Sequence, residues 1–547
     1  MGLFVVWLHP CRAQQRTVER VYISTDRDLY VAGESVWISL YCFDMSNKET
    51  RLSELSSVAY VELRSAVSLA STAKISIDKG RGSGKIDLSP SLPTGNYRLI
   101  AYTKQMLNED TLRYFDKIIP VYNTLSTERV PDNVEIKGDE VEDIEPAPFH
   151  ATSGHVDVQW KGDKIVVENK SDRAMTLHIS ISRIDIPAAP GNPLQDFLAN
   201  HRPDPAKIKF VNLYTPEYEG EIIRGRVKNI KEIPSGDRSI FLSTVGSGVD
   251  IYSAVVDGST GEFAFFTPSF YGNREMALEY PAAKEATFEL FDPFIKPPIK
   301  PIPPLYLDKQ YAPRLVQRSI EMQLNHRFGM DTLHDRIAVQ DAPPICTYQP
   351  FVYVLDHYTR FPTFLDIVIE FVSGARFRKV NNKTSLQILV ESDFERGYTE
   401  QSALVMIDGI AVFDHDQLPN LDLLKVRSVS VYNRSYRVGN QTFDGIVLLH
   451  TYKGNYPDLT LGKNALIVDY EGVQYPVRCT GGEFAISENR PDIRSLLYWD
   501  PQVDLALGEK KEIRVQSPYM PEKYAIVLEG TTVDGQAVYY RSEFVHE

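Results

Sequence analysis

Short runs in which apolar and polar residues alternate, broken by Gly, Pro, Asn or Asp, recur along most of this chain. In VYISTDRDLYVAGESVWISLYCFD, Val21 and Ile23 face one way in a first strand, and Val36, Ile38 and Leu40 in a second. Gly33 supplies the positive φ that the turn between them requires. SVAYVELRS follows, then KIDLSPSLPTGNYRLIAYT, in which Pro93 and Gly95 turn the chain into a strand from Tyr97 to Tyr102. The glycine-rich KGRGSGKID at 79–87 reads as a hairpin loop, since it lacks the first Gly and the following Ser/Thr of a phosphate-binding loop. Such strands bury one apolar face only by packing two sheets together. The alternation returns from His155 in HVDVQWKGDKIVVENKSDRAMTLHISISRID, from Glu221 in EIIRGRVKN, and in the C-terminal stretch, which ends on an Asp534-Gly535 hairpin.

The period changes twice. Val316, Ile320, Leu324 and Phe328 recur every four residues behind Pro313, predicting an amphipathic helix over about 312–328 whose apolar side packs on a neighbour. TFLDIVIEFVSG predicts a second helix, capped by Thr363 and stopped at Gly374. Strands SLQILVE, ALVMIDGIAVF, VRSVSVYN and FDGIVLLHTYKG follow, with Asp408-Gly409 as a two-residue hairpin turn. Together these make a small α+β module.

Two stretches carry no period. GDEVEDIEPAP, within 126–154, is acidic and lacks aromatic residues, so it reads as a linker. DPFIKPPIKPIPP, residues 292–304, has six prolines in thirteen residues and reads as a stiff polyproline spacer. The expected order is a partial export signal at 1–13, a β-sandwich at 14–125, the acidic linker at 126–154, and sandwiches at 155–215 and 216–291. A proline-rich linker with its helix then covers 292–345, the α+β module 346–456, and a last sandwich 457–547. The fold class is mostly β: serial sandwiches plus one small α+β domain.

Composition supports this order. A chain of 547 residues exceeds a single core and suggests roughly three to five domains. Its 30 Tyr, 25 Phe, 34 Pro and 32 Gly favour pleated strands and turns. A net charge of −14 with no basic cluster argues against nucleic acid as a partner. MGLFVVWLHPCRAQQ reads as the end of a secretory signal, with a buried N-terminal strand as the alternative; Pro10 disfavours a lipid anchor at Cys11. No stretch approaches the roughly 20 apolar residues of a membrane-spanning helix. Cys42, Cys346 and Cys479 have the spacing of neither a disulfide framework nor a zinc site and read as buried free thiols.

Candidate chemistry is sparse. Asp26, Asp28 and Glu34 could offer oxygens to calcium, yet the spacing of a calcium loop is missing and polar hairpin residues are preferred. Asp414, His415 and Asp416 are the metal-capable cluster of the α+β module, but consecutive loop residues rarely converge on one ion, so they read as an exposed polar loop. The chain has neither H-E-x-x-H nor G-x-S-x-G, and its histidines show no i, i+4 pairing. No catalytic, cofactor-binding or metal residue is assigned.

Three stretches resemble known families. The strand, TDRDLYVAGESV and LPTGNYRLIAYT resemble the second macroglobulin-type domain of α2-macroglobulin-like proteins, in particular exported multidomain proteins of Gram-negative bacteria. Asp257-Gly258 leading into Gly261-Glu262-Phe263 resembles the carboxypeptidase regulatory-like sandwich. The module resembles the plug domain of TonB-dependent receptors, carried by Ile407, Asp408 and Gly409, by Val429 and Val431, and by Gly445, Ile446, Thr451 and Gly454. Only 93 residues follow Gly454, too few for a receptor barrel, and no TonB-contact box precedes the module.

The resemblance implies an exported, non-enzymatic binding or scaffolding protein of the periplasm, outer membrane or cell surface. It implies no cofactor. Its partners would be proteins, including outer-membrane barrels or their components, added at strand edges by β-augmentation. The alternative is a macroglobulin-like protease inhibitor with 126–154 as bait, although the thioester motif of some macroglobulins is absent. An unrecognised hydrolase is a third reading.

Overall fold

The computed structural model describes residues 17–47, 49–110, 113–126, 134–137, 150–161, 164–186, 192–204, 208–211, 213–230, 233–234, 236–246, 248–330, 334–339, 346, 348–380, 382–391, 396–454, 461–479, 493–515 and 522–545. The expected signal at 1–13, with Cys11, lies outside them. The chain forms two compact units. One comprises Met1–Tyr218, Lys296–Val339 and Val473–Glu547, and the other Glu219–Ile295 and Gln340–Gly472.

The first unit opens with a sandwich. One sheet joins β1 (Glu19–Thr25), β3 (Ser35–Asp44), β4 (Arg51–Leu52) and β7 (Arg81–Asp87), and the other runs β2 (Tyr30–Val31), β9 (Phe115–Tyr122), β8 (Gly95–Tyr102), β5 (Val58–Arg64), β6 (Leu69–Ser76). Every residue of β1 is buried, polar ones included. The reason is a second layer outside the sheet: Tyr22 donates to Glu529 at 2.8 Å, Tyr41 to the Glu529 carbonyl at 2.7 Å, and Arg81 to Thr176 at 2.7 Å. The alternation therefore separates an apolar inner face from a polar but equally buried outer face. The stretch 79–87 is not a hairpin loop. Only Lys79 and Gly80 turn, with φ of 48° and 76°, and the rest is β7, paired with β3. Gly82 and Gly84 permit close packing there; a Cβ on Gly82 would lie 2.6 Å from the Ser76 carbonyl oxygen.

The layer covering β1 is a second sandwich. Its sheets are β12 (Val156–Lys161), β13 (Lys164–Asn169), β34 (Lys510–Arg514), and β11 (His150–Thr152), β36 (Ala537–Val545), β35 (Lys523–Thr532), β14 (Met175–Arg183), β33 (Leu496–Leu505). The stretches at 155–215 and 457–547, expected as separate sandwiches, thus complete one another. β14 is hydrogen-bonded on both sides by C-terminal strands, and Ile165 and Ile179 share a core with Val503 and Ile526. Neither half has enough strands to enclose an apolar interior alone. Helix α1 (Pro193–Asn200), capped by Asn192, seats Phe197 against Tyr22 and Phe115.

Both expected linkers are structured in part. Within 126–154, β10 (Val134–Lys137) pairs in parallel with β21 (Leu305–Asp308), and β11 joins the second sandwich; the acidic GDEVEDIEPAP lies outside the described residues. The proline-rich stretch is not a free spacer. Its carbonyls are taken by the first sandwich: Arg64 donates to Pro297, Tyr114 to Pro298 at 2.6 Å, Arg98 to Pro301 at 2.7 Å and Asn96 to Pro303 at 3.1 Å. Proline has no N–H to offer a sheet, so its carbonyls are left for side-chain donors. The predicted helix is α2 (Ala312–Phe328), ended by Gly329 in the left-handed conformation. A two-stranded pair, β22 (Asp335–Arg336) and β32 (Val477–Arg478), completes the unit.

The second unit holds a seven-stranded sandwich and the α+β module. The sandwich sheets are β18 (Glu262–Phe266), β15 (Ile222–Lys228), β20 (Thr287–Leu290), and β17 (Ile251–Val255), β16 (Ser239–Thr244), β19 (Asn273–Glu279), β31 (Ala465–Glu471). The last of these lies in the expected C-terminal sandwich but pairs here along all of β19. The Asp257 carboxylate fixes the β17–β18 turn by accepting from the Ser259 and Thr260 amides at 2.9 and 2.7 Å.

In the module, a sheet runs β23 (Phe351–Val354), β29 (Val426–Val438), β30 (Gln441–Thr451), β27 (Leu404–Ile407), β28 (Ile410–Val412), beside β24 (Ala375–Val380), β25 (Lys383–Glu391) and β26 (Arg396–Tyr398). Helix α3 (Phe364–Glu370) begins at a capping box between Thr363 and Asp366; it ends before the expected Gly374, which serves the following turn with φ of 80°. The sheet is covered twice. Val405, Ile407 and Leu449 meet α3 residues Phe364 and Ile367, while Leu404, Met406 and Leu448 meet Phe241 and Ile251 of the sandwich. This explains the unbroken apolar run at 403–407.

Asp408 and Gly409 adopt φ of 47° and 87°, the geometry of a two-residue hairpin turn. The Asp408 carboxylate is buried and accepts from the Thr451 amide at 2.8 Å and hydroxyl at 2.5 Å, which locks the turn onto the end of β30. A Cβ on Gly409 would lie 2.2 Å from the Thr244 carbonyl oxygen, whereas one on Gly454, also at positive φ, meets nothing within 4 Å. Gly409→Ala is therefore expected to cost about 2–4 kcal/mol and Gly454→Ala about 1 kcal/mol. Calorimetric unfolding of the two variants separates steric from conformational cost; equal shifts would contradict the close approach.

Candidate functional site

The richest concentration of charge is buried in the first unit. The turn TDRDLYVAGE brings Asp26, Arg27 and Glu34 to the end of the first sandwich, β14 brings Arg183 with Asp185 just beyond it, and α2 contributes Arg318 and Glu321. Gly33 serves twice here: its φ is 97°, and a Cβ would lie 2.8 Å from the Met322 methyl of α2. Arg318 reaches Glu34 through two nitrogens at 2.9 and 2.8 Å, Asp185 at 2.6 Å and the Leu29 carbonyl at 3.1 Å. Arg27 donates to Asp26 at 2.8 Å, Glu34 at 3.1 Å and Ser495 at 2.7 Å. Arg183 binds Asp185 at 3.0 Å and Glu321 at 2.5 Å.

Burial alone would raise the Glu34 carboxyl, but Arg27 and Arg318 outweigh it and hold the group at about 2. Burial likewise disfavours the Arg318 cation, yet Glu34 and Asp185 raise its pKa. Asp26 differs, since burial outweighs Arg27 and shifts it upward. Its oxygens nevertheless accept from Arg27, from Tyr30 at 2.6 Å and from the Trp37 amide at 3.0 Å, the donor set of an ionised carboxylate. Asp26 and Glu34 are therefore committed to internal partners, while the exposed Asp28 pairs at 3.6 Å with Lys117 and Arg541. The three do not converge as calcium ligands, and Asp26 and Glu34 are buried ion-pair residues rather than polar hairpin residues. Among the described residues, no group of three or more His, Cys, Asp or Glu could hold a metal.

A small open cleft lies beside this cluster, lined by Arg27, Glu34, Trp37, Met322, Asn325 and Arg494, with Cys479 at its wall. The backbone of Cys479 is bridged to Trp499 in both directions, at 2.8 and 2.6 Å. Cys42 is buried, and burial together with Glu19 raises its thiol well above the ordinary range. Cys346, expected buried, is only partly so.

Two polar groupings were not read from the sequence as they stand. Ser24 and His178, 154 residues apart, meet at 3.1 Å beside Glu529 between the first two sandwiches. All three are buried, so no substrate carbonyl reaches the hydroxyl. Burial, then Arg81 and Lys117, push the imidazole down to about 3. In the module, Asp414 and Asp416 are exposed but His415 is not. Its Nδ1 accepts from the Leu386 amide at 3.1 Å, and burial pushes it down to about 4. His415 is thus a structural acceptor inside the fold, not part of an exposed loop.

Two apolar surfaces remain outside. At the edge strand β23, Phe351 and Val352 are 57% and 55% exposed, with Tyr348 exposed beside them. On α2, the row expected to pack inward points outward: Val316, Ile320 and Leu324 are 47%, 46% and 39% exposed. The buried side instead carries Leu315, Arg318, Ser319, Glu321 and Met322.

No protein-family model and no curated protein matches the chain. Among solved structures it is similar to Salmonella alpha-2-macroglobulin reacted with methylamine, at 10% identity over 96% of this chain and 39% of that one, with a TM-score of 0.24. It is similar to the native conformation of Escherichia coli alpha-2-macroglobulin at 10% identity, 96% and 40% coverage and a TM-score of 0.24. It is also similar to the Escherichia coli adhesin FdeC at 10% identity, 48% and 60% coverage and a TM-score of 0.16. The chain spans about 40% of the length of the macroglobulins it matches.

Replacing Arg318 by Met takes one of two cations from each of Glu34 and Asp185, leaving the buried Glu34, Asp185 and Glu321 to Arg27 and Arg183 alone, and is expected to destabilise the first unit by roughly 3 kcal/mol at neutral pH. Glu34 is depressed by folding, so its stabilisation is complete above its ordinary value of 4.5 and drains as pH falls toward 2. The stability gap between wild type and R318M should accordingly shrink between about pH 5 and pH 2 in calorimetric unfolding. A gap that holds constant across that range would reject Glu34 as the partner that matters.

Proposed function

We propose that this chain is an exported, non-enzymatic binding or scaffolding protein that engages other proteins by strand addition at the free edge of the α+β module. The observation that carries this reading is β23, the terminal strand of a five-stranded sheet. An exposed edge strand is ordinarily blunted by Lys or Pro within it or by cover. β23 reads FVYV, with neither residue inside it, and exposes apolar side chains on both faces. Its inner side is fixed by pairing with Ser428 to Val431 of β29. A partner strand would gain backbone hydrogen bonds, and Phe351 and Val352 would supply apolar contact.

The association with outer-membrane transport or surface assembly rests on the resemblance of this module to receptor plugs. The lock between Asp408 and Thr451 supports that reading, because it gives two of the motif positions a common physical task. No helix among the described residues is long and apolar enough to cross a membrane, and the proposal places the chain in the periplasm or at the cell surface through its partners.

A photoreactive amino acid at position 352, activated in native membrane fractions, is expected to crosslink to extended apolar segments of outer-membrane proteins. Phe351→Lys with Val352→Lys should reduce strand-edge association at least tenfold while leaving thermal unfolding within about 1 kcal/mol of wild type. Crosslinks confined to soluble proteases would sink this proposal in favour of inhibition.

A further inference from the structure

We infer that the outward face of α2 is a docking site for an amphipathic helix of a partner protein that carries carboxylates at one end of its apolar row. In an ordinary surface helix the apolar stripe faces the core. Here the stripe is turned out, and the ion cluster explains why it stays there. Arg318 is held by two bonds to Glu34 and one to Asp185, and Glu321 is held by Arg183 at 2.5 Å. Leu315 and Met322, on the same side, pack with Leu29, Val31 and Leu305. Rotating α2 to bury Val316, Ile320 and Leu324 would carry Arg318 and Glu321 out of bonds that have no replacement. The rotation is fixed, and exposure of the row is part of the design.

The shape of the row limits what it can receive. Residues spaced i, i+4 and i+8 form a straight ridge about 12 Å long at 1.5 Å per residue. Such a ridge fits the groove between the corresponding rows of another helix at a crossing near −50°. Its charge limits the occupant further. Arg327, eleven residues after Val316, returns to the same face after three turns; it is exposed and has no ion-pair partner among the described residues. Glu321, the only carboxylate of α2, is buried, so the outward face carries no negative charge although the chain has a net charge of −14. A partner helix with an apolar row ending in Asp or Glu satisfies both features. An anionic lipid surface is less well matched, because a membrane-seated helix flanks its apolar face with several Lys or Arg, and the flanks here are the neutral Gln317 and Gln323. A second copy brings only further positive charge to Arg327.

The test uses the full chain and two synthetic helical peptides with Leu at three successive i, i+4 positions, one ending in Glu and one in Lys, followed by fluorescence anisotropy. The Glu peptide is expected to bind at least tenfold more tightly than the Lys peptide. Ile320→Asp should abolish binding, and Arg327→Glu should invert the preference. Both positions are exposed, so calorimetric unfolding should not move, which distinguishes a lost surface from a lost fold. Equal or absent binding of the two peptides overturns the inference. So does Ile320-dependent capture by phosphatidylglycerol vesicles that the Glu peptide fails to displace, or an Ile320-dependent dimer in sedimentation.

Discussion

The grip of Arg318 on Glu34 and Asp185 is the contact on which the first unit turns. One guanidinium joins the edge of the first sandwich, the segment just beyond β14 of the second, and the helix that follows the proline-rich stretch. Each carboxylate would be strongly unfavourable alone in such a setting, and each is acceptable because the others are present. The arrangement is directional in a way apolar packing is not. It sets the rotation of α2 about its own axis, which decides that Arg318 and Glu321 are inside and Val316, Ile320 and Leu324 are outside. Hydrophobic burial on the same side is limited to Leu315 and Met322, too little to impose that rotation by itself.

A second constraint is that the sheets holding β1 and β27 are covered on both faces. β1 is apolar toward its own sandwich and polar toward the next, while β27 is apolar on both sides because α3 and a sandwich sheet flank it. Polar cover and apolar cover hold neighbours differently. The Tyr22, Tyr41 and Arg81 contacts demand a particular register between two sandwiches, since each donor must meet a fixed acceptor on the facing strands. The apolar cover of β27 tolerates more variation in side-chain shape but requires continuous hydrophobicity along the strand.

These differences decide what could be read in advance. Period-two alternation, the Asp408-Gly409 turn, the limits of α2 and the Thr363 cap are local signals, and local signals survive into the fold because the residues that make them also satisfy them. The joining of 155–215 with the C-terminal strands is not local. Nothing in the pattern of β14 states that its neighbours lie more than 300 residues away. β31 was misplaced for the same reason. The row on α2 was visible, but its direction was not, because periodicity reports that one face is apolar and leaves open which face the environment prefers. His415 shows the reverse error: a polar residue between two aspartates looks exposed until an unpaired backbone amide, that of Leu386, is found to need it. At the charge cluster Asp26 and Glu34 stand out in the sequence as carboxylates, but their cations come from Arg27 next door and from Arg318 almost 300 residues on, and only the first of these is within reach of a motif.

The proline-rich stretch carries a further implication. Arg64 and Arg98 stand directly opposite each other across β5 and β8, an arrangement of like charges that weakens a sheet. The Pro297 carbonyl takes Arg64, and the Pro301 carbonyl with the Asp116 carboxylate takes Arg98, so each guanidinium has an oxygen ligand of its own. Strand pairing and proline ribbon are therefore mutually conditional: the ribbon lies where it does because two repelling cations need oxygen ligands, and the cations are tolerable because the ribbon's carbonyls supply those ligands. With six prolines in thirteen residues, such a ribbon covers the sheet while offering few amide hydrogens to a further strand.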